Sequence, residues 1–420
     1  GHNALAAQAP ATATDMLNTA VGNSAGMSVT SGVSNTLIGA RNGDALTVGN
    51  YNVALGDEAL GGDTKGSNSV AVGVGSLLNQ NFTTATAVYN TAIGHAAGNQ
   101  VTTGVQNVII GGLAGDALTD ADYNIAIGYN ALSTETLGSR SVAIVYEALG
   151  VQNTTTAVNM LNVAVGYNAG AAVTTGVKNT LMGANAGDAL TDADENVAVG
   201  HLSLTTDTRG SKSTAIGLSA LHSQNFTTAT DSHNTAVGHN AGYNVTTGVR
   251  NTLVGSGAGD SITTGNQNAV MGEGAGAALT DADYNVVVGR AALATDTLGS
   301  RSTAIGTYAL GAQNFTTATD NYNTAVGYSA GSSISTGTAN TLMGGLSGDS
   351  LNTGESNVAL GFSALGADTK GNNNVAVGRE ALAAQNFTTA TDSLNVAVGY
   401  RAGYNVTTGI KNTIIGGLAG

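Results

Sequence analysis

The chain has 420 residues, of which 10% are charged, with a formal net charge of −14, no cysteine, no tryptophan and one proline. This balance argues against a nucleic-acid or anionic-membrane partner, which would need clustered Lys and Arg. The lack of cysteine excludes disulfides and thiolate metal sites, and a hydrophobic content of 42% argues against disorder. Because no apolar run reaches the roughly 20 residues of a membrane span, we expect no membrane insertion within this chain.

A five-residue motif typified by Asn-Thr-Ala-Val-Gly, called the anchor here, recurs 23 times. Each anchor begins one rung, and rung positions are counted from its first residue. That residue is Asn in 19 rungs and Ser in four, and the fifth is Gly everywhere except at Val145. Such a period predicts a solenoid. The anchors begin at residues 18, 35, 52, 69, 90, 107, 124, 141, 162, 179, 196, 213, 234, 251, 268, 285, 302, 323, 340, 357, 374, 395 and 412.

Four rung types follow one another in chain order and form a block of 72 residues. The first type contains Val-Thr-Thr-Gly, as at 101–104, and the second contains Gly-Asp-Ala-Leu-Thr-Asp-Ala-Asp, as at 115–122. The third contains Asp-Thr-Leu-Gly-Ser-Arg, as at 296–301. The fourth carries an extension, Asn-Phe-Thr-Thr-Ala-Thr-Asp at 225–231, that lengthens the rung by four residues, from 17 to 21.

The continuity of the repeat bears on the domain organisation. The consecutive rungs at Asn251 and Asn268 are both of the second type, so one rung has been duplicated whole, which indicates that rungs contact mainly their neighbours. Gly1 aligns with the anchor glycine of a fourth-type rung, and Gly420 lies inside the rung begun at Asn412. We therefore expect residues 1–420 to form a single continuous array that is a segment of a longer fibre, cut within a rung at both ends.

The composition of the rungs predicts the fold class. Glycine and β-branched residues are too dense for helices, and short apolar runs separated by Gly, Asn and Asp predict an all-β parallel β-solenoid with one coil per rung. Positions 2 to 4 of the anchor carry no charge in any rung. A strand that is apolar on both faces is buried on both faces. One face can fill the coil, and identical copies are the simplest cover for the other, so we expect an oligomeric fibre.

The polar anchor residue has a structural interpretation. Asparagines stacked at one corner of successive coils can cap turn backbone and form a ladder along the fibre. The anchor glycines are expected to supply tight turns or positive φ angles. The predicted ladder includes Asn18, Asn35, Asn52, Asn90, Asn107, Asn124, Asn162, Asn234, Asn323 and Asn395.

The anchors resemble repeats of two known families. Ser-Val-Ala-Val-Gly-Val-Gly-Ser-Leu at 69–77 resembles the head repeat of trimeric autotransporter adhesins, with Ser76 where that repeat has Ala. Asn-Thr-Ala-Val-Gly-Tyr-Ser-Ala-Gly at 323–331 and the similar run at 395–403 look more like repeats of bacteriophage tail-fibre proteins. The resemblance covers essentially the entire chain. It implies a left-handed β-roll in which three chains pack around one axis.

The second-type rung carries the best candidate for a metal site. Three carboxylates within seven residues can ligate Ca²⁺, although the glycine and the spacing of an EF-hand loop are missing. The alternative is a solvated acidic turn that keeps the fibre soluble, and this is the interpretation we favour, with no cofactor. The candidate calcium ligands are Asp116, Asp120, Asp122, Asp188, Asp192 and Asp194, with a partial copy at Asp281 and Asp283.

The extension of the fourth-type rung is the most distinctive surface feature in the sequence. It can pack as a collar against a neighbouring chain, or present aromatic and hydroxyl groups to a glycan. Four of the five phenylalanines of the chain lie in these extensions. The candidate surface-contact residues are Phe82, Phe226, Phe315 and Phe387.

Together these features predict an extracellular structural protein rather than an enzyme, since a catalytic residue should occur once and nearly everything here recurs. We expect a homotrimeric fibre shaft or adhesive attachment protein, most similar to a phage tail fibre, with a cell-surface glycan or protein as receptor. The alternative is a trimeric autotransporter adhesin head on a bacterial surface. An ice-binding solenoid is a third hypothesis, and it is weakened because position 2 is Thr in only 11 of 23 anchors.

Overall fold

The computed structural model describes residues 1–12 and 15–420, and every regular element in these ranges is a short β-strand. The chain is an all-β parallel β-solenoid of about 23 turns, in which one turn corresponds to one rung. This confirms the fold class predicted from the repeat. Two compact units are distinguished, Gly1–Ser211 with Thr227–Ala229, and Lys212–Phe226 with Thr230–Gly420.

The first unit contains eleven anchor strands of three residues, and within the unit consecutive anchor strands pair in parallel. The register matches position to position, so that Thr19 lies beside Thr36 and Val70 beside Thr91. These strands are β1 (Thr19–Val21), β2 (Thr36–Ile38), β3 (Val53–Leu55), β5 (Val70–Val72), β7 (Thr91–Ile93), β8 (Val108–Ile110), β9 (Ile125–Ile127), β10 (Val142–Ile144), β11 (Val163–Val165), β12 (Thr180–Met182) and β13 (Val197–Val199).

The second unit contains twelve anchor strands, paired in the same parallel register. They are β15 (Thr214–Ile216), β17 (Thr235–Val237), β18 (Thr252–Val254), β19 (Ala269–Met271), β20 (Val286–Val288), β22 (Thr303–Ile305), β24 (Thr324–Val326), β25 (Thr341–Met343), β26 (Val358–Leu360), β28 (Val375–Val377), β30 (Val396–Val398) and β31 (Thr413–Ile415).

Eight further strands of two residues accompany the extensions. Where both members lie in one unit, the end of a third-type rung pairs in parallel with the end of the following extension, as Gly66–Ser67 does with Thr86–Ala87. In the second block an isolated bridge between Ser139 and Asn159 takes the place of this pairing. The short strands are β4 (Gly66–Ser67), β6 (Thr86–Ala87), β14 (Gly210–Ser211), β16 (Thr230–Asp231), β21 (Gly299–Ser300), β23 (Thr319–Asp320), β27 (Gly371–Asn372) and β29 (Thr391–Asp392).

The interior of each turn is narrow and filled mainly by small side chains. Position 3 of the anchor points inward and is buried in every anchor strand from β2 to β30, whereas positions 2 and 4 point outward. Position 3 is Ala in 15 of 23 rungs, and position 8 is almost always a buried Ala or Ser. Because the two sides of a coil lie close together, a larger inward residue needs space from a neighbouring rung.

That space is available because large and small inward side chains alternate between rungs of different type. First-type rungs have Gly at position 9, and a Cβ at Gly98 would lie 2.8 Å from Ile109 Cδ1 and 3.1 Å from Leu77 Cδ2. Ile109 is position 3 of the next rung, and Leu77 is position 9 of the preceding rung. The same arrangement recurs at Gly170, between Leu181 and Leu149. The four-rung cycle is therefore a packing cycle, in which large side chains fill the gaps left by glycines one rung away.

The anchor glycine at position 5 meets two requirements at once. At Gly94 φ is +141°, and a Cβ there would lie 2.4 Å from the carbonyl oxygen of Gly111 in the next rung. A side chain would thus force the rungs apart as well as strain the backbone. Val145, the one exception, keeps a positive φ of 92° and is 44% exposed.

Candidate functional site: the outward face of the anchor strands

The outward face of the anchor strands is hydrophobic along both units. Position 4 is Val, Ile, Leu or Met in all 23 rungs, and position 2 is Val, Ile, Thr or Ala. Among the residues that the structure describes, nothing packs fully over them: Ile93 is 40% exposed, Met182 44% and Met271 50%. In most rungs the outward side chain at position 4 is therefore larger than the inward Ala at position 3. Solvated faces of sheets normally show the opposite pattern, with polar residues outward.

Exposed aromatic residues flank this hydrophobic face at position 6 of several rungs. Tyr129, Tyr146 and Tyr167 come from three successive rungs and form a continuous stack, with ring centroids 5.8 Å and 5.4 Å apart. Their exposures are 50%, 39% and 51%. A hydrogen bond with the Glu147 side chain raises the pKa of Tyr146. Glu147 also lines a shallow cleft of about 270 Å³ beside this stack.

A second aromatic column lies just before the anchor, at the last position of the rung. There Arg301 lies between the rings of Tyr284 and Tyr322, with its guanidinium carbon 4.9 Å and 5.9 Å from their centroids. Arg301 also pairs with Asp320 at 2.9 Å. The hydrophobic face is thus bordered on both sides by aromatic and charged side chains, the usual arrangement of core and rim in a protein interface.

The asparagines expected to form a ladder lie at one corner of the coils and are hydrogen-bonded from rung to rung. Asn35 Oδ1 accepts from the amide of Asn52 at 2.9 Å, and Asn35 Nδ2 donates to the carbonyl of Gly49 at 2.9 Å. The other predicted members Asn18, Asn52, Asn90, Asn107, Asn124, Asn162, Asn234, Asn323 and Asn395 make the same two kinds of contact, to the next anchor amide and to a backbone carbonyl.

The carboxylates proposed as calcium ligands are mostly engaged with the protein itself. Asp120 accepts from Thr103 Oγ1 at 2.6 Å, and Asp122 accepts from the amide of Val105 at 2.8 Å. Asp116 differs, because one of its oxygens is buried with no hydrogen-bond partner and burial raises its pKa. Asp188 accepts from Thr205, Asp194 from the amide of Val177, and Asp192 pairs with Arg209 at 3.5 Å.

No group of three or more His, Asp or Glu side chains among the described residues has the geometry to hold a metal ion. Calcium binding by the acidic turn stays a prediction from the sequence.

The phenylalanines of the extensions lie inside the fold rather than on its surface. Phe82, Phe226, Phe315 and Phe387 are 5 to 7% exposed. What the extension exposes instead is threonine and alanine, including Thr83, Thr84 and Ala85. The rings therefore hold the extension against its own chain, and a ligand approaching the extension would meet hydroxyl and methyl groups.

A buried polar network beneath each extension was not predicted from the sequence. Position 12 of first-type and second-type rungs is Leu, Val or Ile, but in third-type rungs it is a fully buried acid. Asp63 accepts hydrogen bonds from Gln80 Nε2 at 2.6 Å, from the Gly66 amide at 3.0 Å and from the Phe82 amide at 3.2 Å. Gln80 in turn donates to the Ser69 hydroxyl at 3.1 Å. The corresponding acids in the other blocks are Glu135, Asp207, Asp296 and Asp368.

This network includes the serines that replace Asn at the anchor. In the rungs anchored at Ser69, Ser141, Ser213 and Ser302, the Gln at position 12 of the same rung donates to the anchor hydroxyl, as Gln152 and Gln313 do at 3.0 Å and 2.9 Å. The signal was present in the sequence as an acid and a Gln exactly one rung apart at position 12. The network was not predicted because an acid in a sequence cannot be assigned to the interior until its hydrogen-bond donors are known.

Among the described residues no helix is long and apolar enough to cross a membrane. Comparison with protein-family models gives no match, and no curated protein matches the chain. The class of this protein is therefore defined by its fold alone, as a repeat protein of the parallel β-solenoid or β-roll type.

Proposed function

We propose that the chain is the shaft of an extracellular homotrimeric fibre that serves in attachment. The observation that carries this proposal is the outward hydrophobic column at position 4, which is unbroken over all 23 rungs and partly exposed in the single chain. A soluble protein rarely leaves such a continuous apolar surface uncovered unless a partner binds there.

A second copy of the same chain is the partner that best fits this face. The apolar side chains recur once per rung in strict parallel register, so a partner must have the same axial repeat to match them over many rungs. Burying part of each side chain at about 1 kcal/mol per rung over the eleven anchor strands of the first unit offsets an association cost of about 4–15 kcal/mol. The number three comes from the resemblance to trimeric adhesin heads and tail fibres.

The attachment role and the location rest on that resemblance and on the elongated repeat. A virion tail fibre is the first candidate, because the longer repeats at 323–331 and 395–403 have its form. A bacterial adhesin head is the second, because 69–77 has the form of the adhesin repeat. In both cases the receptor would be a glycan or a protein on a cell surface, and the role is not catalytic.

The oligomeric state tests the proposal directly. We expect light scattering to give three times the chain mass of 41.2 kDa, independent of dilution. Replacing one outward residue in each unit, Ile93→Glu with Ile305→Glu, places charges on the hydrophobic face and should dissociate the trimer into folded monomers. The matched control, Thr84→Glu with Thr317→Glu, adds the same charge on exposed extension residues and should leave the mass unchanged.

A well-folded monomer of the unmodified chain would contradict the proposed assembly.

The attachment role is tested separately, by binding of the fluorescently labelled trimer to bacterial and animal cells. Saturable binding that unlabelled trimer displaces is the expected result, and absence of binding to every cell type would leave only a structural role.

A further inference from the structure

Five fourth-type rungs carry the extension, and in each of them the extension begins with the tripeptide Asn-X-Thr. This tripeptide is the acceptor motif for N-linked glycosylation, provided that X is not Pro. Its five copies recur at the same place in the rung. The acceptor asparagines are Asn81, Asn153, Asn225, Asn314 and Asn386.

The fold orients these side chains in the same way in four copies. Thr64 Oγ1 donates to Asn81 Oδ1 at 3.0 Å, and Thr136 does so to Asn153 at 3.1 Å. Thr297 and Thr369 make the same contact to Asn314 and Asn386, at 3.2 Å and 3.1 Å. All five asparagines are exposed. Because Oδ1 is held by the threonine below it, Nδ2, the atom that a sugar would join, points away from that contact, and in these four copies the described residues offer it no acceptor.

The third residue of the motif is retained although the fold makes no visible use of it. Thr83, Thr155, Thr316 and Thr388 are exposed, and none makes a hydrogen bond with the described residues. The second copy is the informative one. There Thr154 replaces Phe and the closing Asp is lost, yet Asn153 and Thr155 remain. A hydroxyl that has no role in packing but survives where the packing residues have changed fits recognition by a modifying enzyme.

We propose that the extension asparagines are acceptors for N-linked sugar. In this reaction Nδ2 of the asparagine forms a bond to C1 of a sugar and loses one proton. The bond between C1 and the phosphate oxygen of an activated sugar donor, nucleotide-linked or lipid-linked, breaks and the phosphate leaves with the electron pair. The catalyst is a glycosyltransferase that reads Asn-X-Thr. The result is one sugar per block on a surface other than the hydrophobic face, at intervals of 72 residues except for the 89 residues from Asn225 to Asn314, which include the duplicated rung.

The chain contains its own comparison site. Asn244 also begins an Asn-X-Thr motif and is exposed, but its Nδ2 donates to the carbonyl of Asp260 at 2.9 Å. The acceptor nitrogen is therefore occupied in the folded protein. The anchor asparagines from Asn35 to Asn395 are buried, and no anchor asparagine lies in such a motif, because position 3 is never Ser or Thr.

The experiment uses the full chain carrying Asn405→Gln, which removes the one other motif. The folded protein is incubated with a purified Asn-X-Ser/Thr glycosyltransferase and its nucleotide sugar, and modified sites are mapped by mass spectrometry. We expect sugar at Asn81, Asn153, Asn314 and Asn386, and modification of Asn244 about ten-fold more slowly, because its hydrogen bond must open first. In the heat-unfolded chain Asn244 should react as fast as the others.

Two variants and one natural sample complete the test. Thr83→Ala should abolish the sugar at Asn81 alone, whereas Thr84→Ala, its exposed neighbour outside the motif, should leave it. In protein isolated from its own source, we expect the extension asparagines to carry sugar. Bare extension asparagines in that sample, or folded chain modified at Asn244 as fast as at Asn81, would overturn the proposal. Neither result would change the mass measured by light scattering, so the trimer is judged independently.

Discussion

The buried acid of the third-type rung shows how one residue type can determine the structure of a turn. The Asp63 carboxylate accepts from three backbone amides and one side-chain amide, and all but the Lys65 amide are buried contacts. Buried carboxylates are tolerated when such donors satisfy them. In the second block the longer Glu135 does the same work, and there Thr154 takes the place of Phe and also donates to it at 3.1 Å. The larger acid is accommodated by a smaller neighbour.

Asp63→Asn should destabilise the rung locally, because the new amide NH₂ faces the Gln80 donor and one acceptor is lost. We expect a loss of about 2 kcal/mol, measured as faster native-state hydrogen exchange of the Gly66 and Phe82 amides. Asp57→Asn is the control, since Asp57 is 46% exposed in its ion pair with Arg41. A change of less than about 0.5 kcal/mol is expected there. Equal exchange in the two variants would refute the role of the network.

A second set of acids has the opposite effect on stability. Burial raises the pKa values of Asp44, Asp116, Asp260 and Asp349, which occupy the same position in the Gly-Asp-(Ala/Ser)-(Leu/Ile) turn. A carboxyl group whose pKa is raised by folding favours the folded state most below its unfolded pKa. That contribution is lost as the pH rises through the folded pKa. These aspartates therefore cost stability at neutral pH.

Asp116→Asn should raise the urea midpoint at pH 7, because it removes a partly desolvated charge with an unpartnered oxygen. The difference from the parent chain should shrink as the pH falls toward 3.8, the ordinary pKa of aspartate. The check is a pair of urea titrations at several pH values. A variant less stable than the parent at pH 7 would show that the ionised carboxylate is bound by something that stabilises it, such as a cation.

At the scale of the element, the stagger of large and small residues decides which rung follows which. The Gly98 side of one coil is closed by side chains from the rungs before and after it. The packing inside a rung therefore depends on the sequences of its two neighbouring rungs as well as on its own. The consecutive second-type rungs fit this principle, because the duplicated rung carries Val270 where Leu253 stands in the first copy.

Gly98→Ala and Gly274→Ala separate packing from backbone conformation. Both glycines have φ of +59°, but a Cβ at Gly274 has no neighbour within 4 Å, whereas one at Gly98 would overlap Ile109. We expect about 1 kcal/mol of destabilisation at Gly274 from the left-handed backbone alone. At Gly98 a further loss of about 1–3 kcal/mol is expected from overpacking. Thermal melts of the two variants check this, and similar losses would mean that the interior relaxes freely.

At the scale of the whole molecule, the packing cycle makes the 72-residue block the unit that can be removed. Deleting 90–161 joins Tyr89 to Asn162, which begins a rung of the same type as Asn90. Deleting only 107–123 keeps the coil length but removes Ile109, which fills the space at Gly98. After that deletion the next rung begins at Asn124, and its inward residue at position 3 is the smaller Ala126.

We expect the block deletion to fold with an unchanged urea midpoint. The single-rung deletion should lose about 2–4 kcal/mol, the range for a large-to-small change in a core. Circular dichroism and urea titration of both deletions check this. Equal stability of the two would show that rungs are interchangeable and that the cycle has another origin.

The sequence by itself determined the number of rungs, the strand at each anchor and the parallel stacking, because a short repeat with one strand per unit has few ways to satisfy its backbone. It also indicated the corner occupied by the asparagines. Only the tertiary structure decided which face of the anchor strand is inside, since alternation is uninformative when positions 2, 3 and 4 are all apolar. It likewise decided that Phe82 is buried and that Asp63 lies beneath it. These depend on contacts between residues 17 and 19 apart, which become neighbours only when one rung stacks on the next.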